Sequence, residues 1–270
     1  MIFRTLRMAL TILPVMLAAG VGAVAAQTTP KISSPGVDKP ASAIWIGNSF
    51  FYYNNSMHGH VSSLLRSADP AYPHRSSSVT ISGSGFGWHD VAAYFKPGGI
   101  GNYTFDANNN VVFNKIDRLF DLAIMMDCSQ CPIHPELSKV FVENAKTYSD
   151  TVRKNGAKPV FFMSWAYADK PEMTAQLAEA YIKAANDNDA MVIPAGLAFA
   201  RSIAQRPDLA LTIADKRHPT LAGTYLAACT AYAAIFGKSP VGLKYDAGLG
   251  PETALYLQTI AMETVKSFYR

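Results

Sequence analysis

Two kinds of pattern alternate along this chain. Short runs that are apolar at nearly every position, at 43–47, 122–126, 159–164 and 190–193, read as strands buried on both faces. Between and after them lie longer stretches with apolar positions at helical spacing. Val61, Leu64 and Leu65 mark a helix over 58–68, and others are expected at 136–155 (ended by Gly156), 171–186, 195–205, 221–236 and 252–268. A further strand is expected at 79–82, after which Gly83-Ser84-Gly85-Phe86-Gly87 breaks the chain before a helical stretch at 88–95. Residues 103–113, with Asn108-Asn109-Asn110 in their middle, read as a small hairpin. Short strands alternating with helices imply an α/β fold with a central parallel sheet, built as one domain over 43–270.

The start of the chain breaks this rhythm. Arg4 and Arg7 precede an apolar run from Met8 to Val24, interrupted by Pro14, Gly20 and Gly22, and Ala23-Val24-Ala25-Ala26 offers small residues for cleavage. Residues 1–26 therefore read as a secretory signal peptide, with an uncleaved anchor as the alternative, and the Pro- and Ser-containing stretch 27–42 as a flexible linker. On this reading the protein is secreted or periplasmic, with no stable membrane insertion once the signal is removed.

Composition narrows the function classes. With 270 residues, 49% hydrophobic and 16% charged, the chain is neither a disordered tail nor a disulfide-stapled miniature, and it can bury a sizeable core. The formal charge of +4 falls to +2 once the two arginines of the signal are removed. No basic stripe is present, so nucleic acid is not an expected partner. Of three cysteines, Cys128 and Cys131 form a C-x-x-C followed by Pro132 and by His134-Pro135, which places it in a loop; Cys229 lies in an Ala-rich helix. A disulfide, free thiols and a redox pair all remain open for the C-x-x-C.

In parallel α/β sheets the ligand crevice lies at the carboxyl ends of the strands. The loops to inspect begin at Asn48, Gly83, Asp127, Trp165 and Pro194, with 215–218 later in the chain. Ser49 follows the first strand beside Gly47-Asn48, where a hydroxyl can face the crevice and nearby N–H groups favour a developing anion. Asp215 and His218 are three apart in Asp215-Lys216-Arg217-His218-Pro219, so the carboxylate can hold the imidazole Nδ1 proton and leave Nε2 free to take a hydroxyl proton. A turn serine and a solvated histidine are the bland alternatives for each taken alone. No G-x-S-x-G occurs, which argues against an ordinary α/β-hydrolase.

Taken together, Gly47-Asn48-Ser49-Phe50 and Asp215-Lys216-Arg217-His218-Pro219 resemble the first and last blocks of the SGNH (GDSL-type) hydrolases, with Asn48 where many members carry Asp. The resemblance spans residues 43 to about 240 and implies a flavodoxin-like three-layer α/β/α sandwich. It implies a serine ester hydrolase with Ser49 as nucleophile, His218 as general base and acid, and Asp215 orienting the imidazole. The oxyanion hole would come from the N–H groups of Ser49 and Gly83, with Gly85 in reserve. In place of the family's G-x-N-D stands Asp127-Cys128-Ser129-Gln130-Cys131-Pro132, where Gln130 can donate through its amide. An oxyanion donor that is lost typically costs about 3 kcal/mol in the transition state. No metal or organic cofactor is implied.

Several residues carry weaker readings. His89 and Trp165 are candidates for substrate contact against packing roles, and part of Phe50-Phe51-Tyr52-Tyr53 is expected to pack under the nucleophile while the rest borders the crevice. His58 and His60, two apart, do not share a helix face, so a metal site there is not expected. Asn54-Asn55-Ser56 and Asn102-Tyr103-Thr104 match the glycosylation pattern, which matters only in a eukaryotic secretory route. The expected substrate is a short acyl ester, such as an O-acetyl group on a carbohydrate. A lipase, thioesterase or acyltransferase with the same triad, an inactive glycan-binding relative and a C-x-x-C redox protein are the alternatives.

Overall fold

The computed structural model describes residues 28–100, 103–113 and 118–270. The expected signal peptide at 1–26 and Asn102 of the second glycosylation pattern lie outside the described residues. Among the described residues seven strands occur: β1 (Ser42–Gly47), β2 (Arg75–Thr80), β3 (Tyr103–Phe105), β4 (Val111–Phe113), β5 (Leu122–Met125), β6 (Lys158–Phe162) and β7 (Met191–Ile193). Five of them form one sheet in the order β2-β1-β5-β6-β7, and every pairing in it is parallel. The helices are α1 (Ser49–Tyr52), α2 (Met57–Ala68), α3 (Val91–Tyr94), α4 (Leu137–Lys154), α5 (Met173–Asp187), α6 (Ala195–Gln205), α7 (Leu221–Phe236) and α8 (Pro251–Phe268).

The strand order has a direct consequence for function. From β1 the chain winds outward to β2 on one side, and then from β5 through β6 to β7 on the other. Right-handed crossovers therefore put α2 on one face and α4 and α5 on the opposite one. Helices α6, α7 and α8 pack with one another, and α7 packs on α2, which completes the first face. The winding reverses between β1 and β5, and the loops leaving these neighbours splay apart there into a crevice.

The burial of the elements follows the sequence pattern closely. All of β1 and β5 is buried, as their unbroken apolar runs require. Helix α7 is buried almost all round, which accounts for its run of alanines between two layers. The observed β2 begins earlier than expected because Arg75-Ser76-Ser77-Ser78 is too polar to read as a strand. It lies at the sheet edge and is only half-buried, where polar side chains suit a strand and discourage further pairing. The stretch 88–95 resolves into a 3₁₀ turn, Phe86–Trp88, and the short α3 capped by Asp90. The hairpin β3–β4 forms as expected, with Asp106 Oδ1 accepting the Asn108 and Asn110 N–H groups across its turn, and its strand residues are exposed.

Residues 28–41 carry no helix or strand but run along the domain. The Lys31 N–H donates to Asn186 Oδ1 (2.8 Å) and the Ala41 N–H to the buried Asp121 Oδ2 (2.7 Å), while Ile32 and Val37 pack against the core. At the other end of the domain, α7 anchors the 211–219 loop. A Cβ on Gly223 would stand 2.2 Å from the Leu211 carbonyl oxygen, and the Thr220 N–H donates to that same carbonyl (3.0 Å). Gly223→Ala is expected to force these backbones apart and lower stability by about 1–3 kcal/mol, the range of overpacked cores, as read by urea denaturation.

Candidate active site

The first strand delivers the serine to the switch point. Asn48 leaves β1 in extended conformation and caps α1, its Oδ1 accepting the Phe50 N–H (3.2 Å). Ser49 is the first residue of that short helix, so its N–H points away from any intrahelical partner. The Ser49 Oγ lies 2.8 Å from His218 Nε2, and His218 Nδ1 lies 2.5 Å from Asp215 Oδ2. Asp215 Oδ1 accepts the Arg217 and His218 backbone N–H groups (2.9 and 3.0 Å), so one carboxylate shapes the loop and holds the ring. Ser49 is buried at 7% exposure, whereas the side chains of His218 and Asp215 are 25% and 39% exposed.

Electrostatics favour this arrangement. Partial burial alone would raise the Asp215 carboxyl, but the hydrogen bonds from the His218 ring and from the Arg217 and His218 backbones outweigh it and hold the group at about 2. Asp215 is therefore a carboxylate throughout the neutral range and must accept the Nδ1 proton, which leaves Nε2 as the acceptor for the Ser49 hydroxyl.

Asn48 also ties the three crevice loops together. Its Nδ2 donates to the Ser84 carbonyl (3.0 Å) after β2 and to the Asp127 carbonyl (3.1 Å) after β5. In the sequence alone this position shows only as a departure from the family's aspartate. A carboxylate could not donate those two bonds.

The loop after β2 carries Gly83 at φ +72, a left-handed conformation that glycine adopts without strain, and Gly83 faces open space. Gly85 is confined, since a Cβ there would stand 2.9 Å from Asp127 Oδ1. His89 does not line the crevice, contrary to expectation. It is buried, and because the Ser84 hydroxyl donates to the Gly47 carbonyl, His89 Nε2 must donate to Ser84 Oγ (3.0 Å) while Nδ1 accepts from Tyr94 (3.1 Å). Burial lowers the pKa of this imidazole, which favours the neutral brace.

Trp165 is likewise a correction. It is fully buried, sandwiched face to face between Phe50 (4.6 Å between ring centroids) and Phe199 (4.2 Å), so it offers no wall to a substrate. Its Nε1 instead donates to the Arg217 carbonyl (2.9 Å) and fixes the histidine loop from below. The aromatic run divides as expected. Phe50 and Phe51 are buried under the serine, whereas Tyr52 is exposed and Tyr53 half-buried, with Tyr53 stacked on the His218 ring at 4.4 Å.

Cys128 and Cys131 are joined in a disulfide, and Cys229 is a buried thiol whose pKa burial pushes upward. With its sulfurs bonded to each other, the cluster of Asp127, Cys128 and Cys131 offers no thiolate to a metal. Gln130 is exposed at the start of the 3₁₀ turn Cys131–Ile133, and no hydrogen bond of its side chain occurs among the described residues. His60 is bonded through both ring nitrogens to protein groups.

Neither the known family models nor the curated proteins contain a significant match to the sequence. Solved structures do resemble it. A DUF4886 family protein from Bacteroides uniformis superposes with a TM-score of 0.58 at 17% identity, covering 85% of this chain and 96% of that one. A protein from Slackia heliotrinireducens assigned to the SGNH hydrolases gives 0.50 at 19% identity over 72% of this chain and 97% of that one. A variant of an acetyl xylan esterase from Geobacillus stearothermophilus gives 0.52 at 13% identity, over 72% of this chain and 95% of that one. The chain thus has the α/β/α fold of the SGNH hydrolases, as its sequence blocks led us to expect. No helix among the described residues is long and apolar enough to cross a membrane.

Asp127 yields a test of this geometry. It is 2% exposed, and burial raises its carboxyl to about 6 even though the Phe86 and Cys128 N–H groups both donate to Oδ1 (2.7 Å each). Between its ordinary value of 3.8 and about 6, the folded protein keeps a proton that the unfolded chain has released. Stability must therefore fall as pH rises through that window. Asp127→Asn keeps a neutral acceptor and removes the penalty. Its stability relative to wild type should rise by on the order of 2–3 kcal/mol between acid and neutral pH, measured by urea denaturation at both.

Proposed function

We propose that this protein is an exported serine esterase that removes short acyl groups, O-acetyl groups of carbohydrates foremost, through Ser49, His218 and Asp215. The observation that carries the reading is the continuous chain of contacts from Ser49 Oγ to His218 Nε2 and from His218 Nδ1 to Asp215 Oδ2, at 2.8 and 2.5 Å. Export rests on the character of residues 1–26.

The chemistry follows from the geometry. As Ser49 Oγ attacks the ester carbonyl carbon, His218 Nε2 takes its proton, and Asp215 stabilises the imidazolium that forms. The negative charge on the carbonyl oxygen meets the N–H groups of Ser49 and Gly83, with the Gln130 amide closing over it from the third loop. Collapse of the tetrahedral intermediate expels the alcohol, which receives the proton from Nε2. Water, activated by the same histidine, then releases the acid and restores Ser49.

Two considerations favour a small acyl group. The His218 and Asp215 side chains are partly exposed, at 25% and 39%, so the bases of the site are reached from the surface. The acetyl xylan esterase that shares the fold acts on acetylated xylan by its description, and two further structures of it are catalytic mutants, one lacking a serine and one a histidine. An inactive glycan binder would not need the hydroxyl, ring and carboxylate held in hydrogen-bonded sequence.

The test is hydrolysis of p-nitrophenyl acetate, butyrate and octanoate, and release of acetate from acetylated xylan, by the mature protein beside Ser49→Ala. Turnover of the acetate ester should exceed that of the octanoate and fall by at least about a thousandfold in the variant, in line with losses of triad members. Equal activity in Ser49→Ala, or none in either on any ester, would refute the reading.

A further inference from the structure

Between α1 and α2 the chain makes a turn whose residues match the glycosylation pattern in sequence. Its residues Asn54, Asn55 and Ser56 take φ values of +51, +67 and +65, three consecutive non-glycine residues in the left-handed region. Asparagine enters this region more readily than most residues, but three such residues in a row are uncommon, and here contacts hold them. The contacts here are specific. Asn54 Nδ2 donates to the Pro219 carbonyl and to the Thr224 hydroxyl, both at 2.9 Å, and Thr224 is wholly buried in α7. Pro219 is the residue after His218.

The turn is held from its other side by His60. A carbonyl can only accept, so His60 Nε2 carries the proton and donates to the Asn54 carbonyl (2.6 Å), while Nδ1 accepts from the Tyr245 hydroxyl (2.7 Å). His60 itself is 4% exposed. Tyr53, immediately before the strained turn, lies flat on the His218 ring, with an interplanar angle of 15°. The turn therefore grips the histidine loop at two points: its ring face through Tyr53 and its following carbonyl through Asn54.

We propose that Asn54, braced by His60, is a positioning residue for His218. It sets the position of the imidazole between Ser49 and Asp215 by fixing the Pro219 carbonyl to α7, and the strained backbone is the means of aiming its amide there. This rests on the esterase reading only for the consequence in turnover; the placement of the ring is a property of the fold.

The experiment uses Asn54→Gly. Glycine accepts φ +51 without strain, so the variant removes the amide while easing the backbone. Two readouts are taken on the mature protein. One is the low-field proton resonance of the His218 Nδ1–Asp215 hydrogen bond, which needs no substrate. The other is the kinetics of p-nitrophenyl acetate hydrolysis. In the folded variant the resonance should shift upfield or broaden. The kcat should fall about tenfold with KM nearly unchanged, as expected when a catalytic group is misplaced. A folded Asn54→Gly with wild-type resonance and kcat overturns the proposal.

Should that variant not fold, Thr224→Val decides. It removes one acceptor of the amide within a buried helix, and an unmoved resonance there overturns the proposal equally. Absence of turnover in the wild type would count against the esterase reading alone, because the resonance still reports whether Asn54 places the ring.

Discussion

The side-chain amide of Asn48 is the interaction on which the site depends. Its oxygen caps α1, and its two N–H bonds run to the carbonyls of Ser84 and Asp127, each on a different loop of the crevice. Asparagine is one of few residues that can do this, because it offers an acceptor and two donors on one short, rigid group. The amide is 4% exposed, and both of its acceptors would otherwise face a poorly solvated interior. An unpaired buried carbonyl costs on the order of 1–3 kcal/mol, so the three loops are driven to meet at this point. Ser49, the next residue, takes its position from that meeting.

A second layer of support comes from below and behind. The stack of Phe50, Trp165 and Phe199 joins the short helix that carries Ser49 to α6, and the Trp165 indole N–H holds the Arg217 carbonyl. The first turn of α7 holds the same loop through Leu211, and Asn54 holds it through Pro219. His218 thus sits on a loop but is tied to α1, the loop after β6, α7 and the α1–α2 turn. That arrangement reconciles a partly exposed histidine with a fixed ring, since mobility in a loop is limited by bonds to rigid elements as well as by burial. The second loop shows the same economy, with Ser84 fixed between Gly47 and the buried His89.

Much of this is legible in the sequence. The apolar runs of β1, β5, β6 and β7 and the periodic helices marked a parallel α/β sheet, because strands covered on both faces have no polar positions to confuse the pattern. Ser49 and the Asp215–His218 pair were legible for a local reason: one ends a buried strand, and the other two are close enough in sequence to form a single turn. The edge strand β2 was displaced in the reading because its outer face meets water and its serines carry no apolar signal. Of the two readings open for His89 and Trp165, packing holds, because residues beside a crevice in sequence can point into the core. Nothing in a single sequence separates the two directions.

The sequence by itself determined the layer architecture, the placement of the serine at a strand end and the pairing of the aspartate with the histidine. All of these rest on periodicity or on contacts within a few residues. Only the tertiary structure decided that the serine and histidine, 169 positions apart, stand 2.8 Å from each other, that Asn48 binds two distant loops, and that Asn54 reaches Pro219 and Thr224. It also decided between the open alternatives for Cys128 and Cys131 in favour of a disulfide. The physical reason is common to these cases. A side chain's partners depend on where the backbone of other elements passes, and that is set by the packing of whole helices against the sheet, which no local pattern encodes.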